Sequence, residues 1–271
     1  MSDLAWFADR HDETKRLVAE RYAKRNLPRV LPEHFRQSPP DGAVLHVPAS
    51  GGGVDLDDVE LCWRFMRSGH KTSTNFVIGW PTGRTLCPVP PERRAWHAGD
   101  KGNGRIGIDL CSPGPIVEIG SQWYRQGTEK RAGVRGAWIH WLGKWHMQAP
   151  CSGPDGAPIT GADAIRWPSK PYPFRQQCWH LITPHQIQAL VQLLRRLDAV
   201  WPMDPARIVR HSDLSKGRSD PGPCVPLGAV RRALRGDTAV DAALSMAVDA
   251  WPASGDAWRD VLVKSWETDR E

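Results

Sequence analysis

The stretch Thr183–Pro184–His185–Gln186 constrains this chain more than any other, because it opens a helix with one apolar face. Thr183 is placed to cap, Pro184 suits the first helical position, and Gln186 stands where a capping box needs it. Ile187, Leu190, Val191, Leu194 and Leu197 follow at helical spacing, which predicts a core-facing helix. Short apolar runs predict strands. AVLHVP (43–48) reads as a buried strand, and NFVIGW (75–80) as a second, joined by the turn PTGR to a hairpin partner TLCPV (85–89). RIGIDL (105–110) alternates as a third, and Ile208–Val209 makes a last short strand leading to His211.

Between these elements the chain is polar or rich in Gly and Pro. Residues 8–26 predict a solvated leading helix, followed by a Pro-rich linker from Pro28 to Pro40. The Gly- and Asp-rich residues 51–58 read as a loop, from which Asp55 caps a helix running to about Ser68. Residues 112–180 form a long Gly- and Pro-rich connection carrying Trp123, Trp138, Trp141, Trp145, Trp167 and Trp179. So long a connection is either functional or a small subdomain. The tail shows two helical patterns, one through Val240, Leu244, Ala247, Val248 and Trp251, the other capped by Ser254 and running through Trp258, Val261, Leu262 and Trp266. The expected organisation is a helical extension and linker over 1–40, a central domain over 41–226 with an insertion at 112–180, and a helical extension over 227–271.

A net charge of +6 and a pI near 9.1 point to an anionic partner such as nucleic acid, a membrane surface or an acidic wall polymer. No Lys/Arg block of five or more is present, so the basicity is diffuse and nucleic acid is not the expected partner. None of Cys62, Cys87, Cys111, Cys151, Cys178 and Cys224 forms a CxxC pair, which argues for reduced thiols rather than a zinc knuckle. MSDLAWFADRHDETKR carries charge where a signal peptide needs an apolar run, and no apolar stretch approaches ~18 residues. The expectation is a chain made in the cytoplasm without a signal peptide or a transmembrane segment, and acting elsewhere after release.

His46 closes one predicted strand, His211 closes another, and Asp220 follows just before Pro221–Gly222–Pro223. Two histidines and a carboxylate are a standard shell for catalytic zinc, leaving a fourth tetrahedral position for water. A ligand loop must be stiff, because ordering a flexible one costs affinity. Pro221 and Pro223 restrict the backbone after Asp220, and Gly217 permits the turn before it. Spacing alone also accommodates three ordinary surface or core groups.

The motifs carry a resemblance as well. "VLHVPAS" (44–50), "ERRAWHAGD" (92–100), "GRIGIDL" (104–110) and "RHSDLSKGRSDPGP" (210–223), in that order, resemble the zinc-dependent N-acetylmuramoyl-L-alanine amidases of the amidase-2 group, which includes the peptidoglycan recognition proteins. The match covers roughly residues 42–111 and 181–224. It implies an α/β fold with a mixed central β-sheet flanked by helices, one zinc ion, and hydrolysis of the amide between the muramic-acid lactyl group and L-alanine. By position His46, His211 and Asp220 would hold the zinc, and Asp109 would hold or deprotonate the attacking water.

Two departures from the family stand out. Asp109 falls where many members have glutamate and some phage members tyrosine, so its side chain is a methylene shorter than the glutamate. Many members also place an oxyanion-stabilising lysine two positions before the last ligand, where this chain has Arg218, with Lys216 as second choice. The loop is one residue shorter than in recycling amidases and one longer than in short phage enzymes. Trp96 and His97, in the Trp-His-Ala-Gly segment, are expected to line a substrate groove or support the fold; His97 is not expected to bind zinc. His140, His146, His180 and His185 are expected to be structural, the insertion's tryptophans to pack a subdomain, and Cys224 not to be a ligand.

Three functions are weighed. The first is a lytic, endolysin-like amidase that attacks cell-wall peptidoglycan, delivered by a partner holin or an export system. The second is a binding module without catalysis, which the complete ligand set disfavours. The third is a cytosolic amidase recycling anhydro-muropeptides, disfavoured by the basic charge, the terminal extensions and the long insertion.

Overall fold

The computed structural model describes residues 3–22, 34–36, 38–47, 73–80, 82–102, 104–125, 128–130, 137–141, 144–148, 151, 158–161, 164–166, 178–215, 218, 220–251 and 255–268. The expected helix between Asp55 and Ser68, with Cys62, Lys216 and Gly217, lies outside them.

Fourteen strands are described: β1 (His34–Phe35), β2 (Ala43–His46), β3 (Phe76–Ile78), β4 (Thr85–Leu86), β5 (Arg93–Arg94), β6 (Ile106–Leu110), β7 (Ile116–Ile119), β8 (Gln122–Arg125), β9 (Thr128–Lys130), β10 (Ala137–Trp141), β11 (Lys144–Gln148), β12 (Ala164–Arg166), β13 (Cys178–His180) and β14 (Ile208–Arg210). Five of them form a mixed central sheet in the order β14-β2-β6-β3-β4. Only the β3–β4 hairpin is antiparallel; the other pairings are parallel. Every residue of β2, β3 and β6 is buried. The alternation expected for RIGIDL is therefore replaced by continuous burial, as befits a parallel strand flanked on both sides and covered on both faces.

The helix Pro184–Val200 begins with the expected capping box, and its whole predicted stripe is buried. Gln186 does more than cap. Its side-chain Nε2 donates to the carbonyls of Cys111 (2.9 Å) and Ile78 (3.3 Å), so the helix start is tied to the carboxyl ends of β3 and β6.

The leading helix spans Asp3–Tyr22 and is anchored rather than solvated. Phe7 is buried, with its ring 5.7 Å from Phe76 and stacked 6.2 Å from Trp201. The Thr14 hydroxyl accepts from the Cys87 N–H at 3.0 Å. The long connection after β6 is largely strand: β7–β8, β9–β10–β11 and β12–β13 form three small antiparallel sheets. Ile116, Trp123, Cys151, Ile159, Ala164 and Cys178 make a second, separate apolar cluster. Ile165 and Trp179, from β12 and β13, belong instead to the main core.

The tail contains three helices, Leu227–Leu234, Thr238–Ala250 and Gly255–Thr268. Leu227, Val230, Leu244, Trp258 and Leu262 join the main core, and the Trp258 indole N–H donates to the Ile182 carbonyl at 2.7 Å.

Candidate metal centre

In parallel sheets, ligands gather beyond the carboxyl ends of the strands. Here β14, β2 and β6 are neighbours that end together. His46 is the last residue of β2 and lies in register with Asp109 of β6. His211 directly follows β14 and opens the short helical turn His211–Leu214, rather than closing the strand itself. Asp220 returns on the following loop, whose start is fixed by a hydrogen bond from the Ser212 N–H to the Asp220 carbonyl at 3.0 Å.

His46, His211 and Asp220 thus meet, each offering a ligand atom within 4.8 Å of the others. One carboxylate oxygen, Asp220 Oδ2, lies 3.1 Å from His46 Nδ1 and 3.0 Å from His211 Nδ1. The two imidazole rings sit 4.6 Å apart at 62°. Ligand atoms of a tetrahedral zinc with ~2.0–2.1 Å bonds are ~3.3 Å apart. The spacing here is slightly tighter, so the donor set fits that ion with small adjustments. Among the described residues no other group of His, Cys, Asp and Glu converges in this way.

Charge follows geometry. Burial by itself would raise the Asp220 carboxyl, but hydrogen bonds from His211 and His46 outweigh it and hold the group well below the usual range. Asp220 is thus a carboxylate, the form a metal ligand must take. Asp109 goes the other way. Burial raises its pKa, opposed by His46 and by a hydrogen bond from Thr74. The environments of the two neighbouring acids therefore push their pKa values apart. His97 is held well below the ordinary histidine value, first by burial and then by His46.

The remaining expected residues divide. His97 contacts the site directly, its Nδ1 lying 2.9 Å from His46 Nε2. Trp96 is 38% exposed, with the Arg94 guanidinium 5.4 Å over its ring. Arg218 is exposed, and its backbone N–H donates to the Ser215 carbonyl at 3.2 Å. His180 is buried, with Nδ1 3.2 Å from the Ser112 hydroxyl and its ring against Trp80, a core role. Cys224 is buried and burial pushes its thiol up, so it presents no thiolate. Thr74 escaped the sequence reading. Nothing local marks it, because its role depends on Asp109 lying one strand away.

No protein-family model matches the sequence, and no curated protein matches it. Among solved structures the chain is similar to AmpDh3 from Pseudomonas aeruginosa in complex with anhydromuramic pentapeptide, at 20% identity over 77% of this chain and 64% of that one, TM-score 0.41. It is similar to the N-acetylmuramyl-L-alanine amidase AmiD from E. coli, at 20% identity over 72% of this chain and 58% of that one, TM-score 0.40. It is also similar to the endolysin LysCS, an N-acetylmuramoyl-L-alanine amidase from Clostridium intestinale, at 16% identity over 78% and 93%, TM-score 0.41. The chain spans less than two thirds of AmpDh3 and of AmiD. At these scores the likeness carries no argument, and function is argued from the site.

Proposed function

We propose that this chain is a zinc-dependent amidase that hydrolyses the bond between N-acetylmuramic acid and L-alanine in peptidoglycan. The observation that carries the reading is the convergence of His46, His211 and one oxygen of Asp220 at the carboxyl edge of the sheet, with a second acid, Asp109, buried one strand away. Held by His46, His211 and Asp220, zinc would supply Lewis-acid polarisation of the lactyl carbonyl and would lower the pKa of a bound water toward ~7. The chain's own groups supply the rest. Asp109, kept poised by burial, holds the attacking water, takes its proton and passes it to the leaving amine. Arg218, or Lys216 in second place, meets the negative charge that develops on the carbonyl oxygen. Trp96 and its neighbours form the groove wall.

The diffuse positive charge favours an anionic wall polymer over a small neutral substrate. Among the described residues no helix is long and apolar enough to cross a membrane. Delivery to the wall by a holin or an export system belongs to the same proposal. The test is to incubate the zinc-loaded protein with purified sacculi and, separately, with soluble anhydro-muropeptides, and to identify the new ends by mass spectrometry. Free L-alanine amino termini from sacculi are expected. Release only from soluble muropeptides would transfer the reading to recycling. New reducing sugar ends, or no new ends from either substrate, would overturn it.

A further inference from the structure

His97 lies at the end of a chain of contacts that runs away from the three convergent groups. His46 Nδ1 faces Asp220, while His46 Nε2 lies 2.9 Å from His97 Nδ1, with the two rings edge to face at 88°. The far nitrogen of His97, Nε2, lies 3.3 Å from the carbonyl oxygen of Arg105. A carbonyl can only accept, so Nε2 carries the proton. The neutral ring then presents a bare Nδ1, which accepts from His46 Nε2–H. That keeps a proton on His46 Nε2 and leaves Nδ1, the nitrogen that shares a hydrogen bond with Asp220, as the atom a metal would take.

Each part of this chain is itself held. The Arg105 carbonyl also accepts from the Arg36 guanidinium at 3.1 Å. The backbone of Trp96, the residue before His97, is clamped by Ser73: the Ser73 N–H donates to the Trp96 carbonyl at 2.8 Å, and the Trp96 N–H to the Ser73 hydroxyl at 2.9 Å. Gly107 on β6 leaves the space the ring occupies. A methyl group there would fall 2.7 Å from His97 Cγ and Cδ2, and 2.9 Å from the Thr74 hydroxyl.

We infer that His97 is a positioning residue, which sets the tautomer and ring orientation of His46 so that Nδ1 is the metal-binding atom. The inference rests on the metal-site reading above. Ligating histidines are commonly oriented through their second nitrogen, and losing the orienting group costs ~10–100-fold in metal affinity. Here the orienting group is another imidazole, tied to a fixed backbone carbonyl.

The test measures zinc affinity by competition with a chromophoric chelator, and the His46 tautomer by nitrogen–proton NMR of the zinc-loaded protein. The wild type should show a proton on His46 Nε2 and zinc on Nδ1. His97→Ala should bind zinc ~10–100-fold more weakly. His97→Asn, which keeps an acceptor near the Nδ1 position, should recover most of that loss. Gly107→Ala, which leaves every polar group in place but displaces the ring, should weaken zinc binding by ~10-fold. If the wild type binds zinc and His97→Ala binds it equally tightly, this inference fails while the metal site stands. Zinc on His46 Nε2 would overturn it even if no variant folds. Absence of zinc binding by the wild type overturns both.

Discussion

Gly222 offers the sharpest test of how the loop carrying Asp220 is held. It adopts φ +76°, a conformation that residues with a Cβ enter only at a cost of about 1–2 kcal/mol. It also presses on Trp179, the buried tryptophan of β13: a Cβ at this position would fall 2.2 Å from Trp179 Cζ3 and 2.6 Å from Cε3 and Cη2. Gly222→Ala therefore adds an overpacking cost of about 1–3 kcal/mol to the backbone cost. Gly236→Ala is the control, because Gly236 has φ +84° and nothing within 4 Å of an added Cβ. The backbone cost is common to both, so at roughly 2–4 °C per kcal/mol for a chain of this size the overpacking alone should make Gly222→Ala melt roughly 2–12 °C below Gly236→Ala. Asp220 is two residues away, so relief of the clash by loop movement should also lower zinc content. A double-mutant cycle with Trp179→Ala should return a coupling of about 1–3 kcal/mol. Equal melting temperatures for the two glycine variants, together with full zinc content in Gly222→Ala, would refute the idea that Trp179 props the loop.

The remaining predictions concern the site. His46→Ala, His211→Ala and Asp220→Ala should each lower zinc content below about one per chain by elemental analysis, since tight tetrahedral binding needs all three ligands. Asp109→Asn should retain zinc and fold yet lose ~10²-fold or more in turnover on muropeptides, because an amide cannot take a proton from water. Arg218→Ala should cost on the order of 10²-fold in kcat with little change in KM, and Lys216→Ala much less; the reverse order would give Lys216 the oxyanion role. Cys224, buried with its thiol pKa pushed up, should react with a disulfide reagent only after unfolding; rapid reaction in the native protein would show the loop to be open.

What the sequence disclosed and what it hid follow one physical division. The helix Pro184–Val200 and strands β2, β3, β4 and β6 were legible because their signals are local: a capping box, a period, a turn. The anchoring of the leading helix was not, since Phe7 is buried by Phe76 and Trp201, far along the chain. The helix Leu227–Leu234 was also missed. It is eight residues long, and its buried side is only Leu227, Val230 and Ala233, too few repeats to stand out as a period. At the candidate site, residue type and motif order singled out His46, His211 and Asp220, which converge in the fold. The role of Thr74 beside Asp109 and the contact of His97 with His46 exist only once β6, β2 and the 96–98 segment are folded side by side.

The stiffness of the loop after Asp220 is likewise a tertiary property more than a proline effect. Pro221 and Pro223 fix two φ angles, but Pro221, Gly222, Pro223, Cys224 and Val225 are all buried. Trp179 lies under Gly222, and the Arg210 guanidinium donates to the Val225 carbonyl at 3.2 Å. Ordering five backbone residues costs about 5–10 kcal/mol at 1–2 kcal/mol each. Structural zinc binding is worth about 10–16 kcal/mol, so leaving that ordering until the metal arrives would consume a third or more of it. The clamp meets this cost during folding instead. Part of the clamp is Trp179 of β13, at the end of the long insertion. That strand pairs with β12, whose Ala164 carbonyl accepts from Arg259 of the last helix at 2.9 Å. Strand β13 and the last helix therefore connect to the loop after Asp220 through contiguous packing.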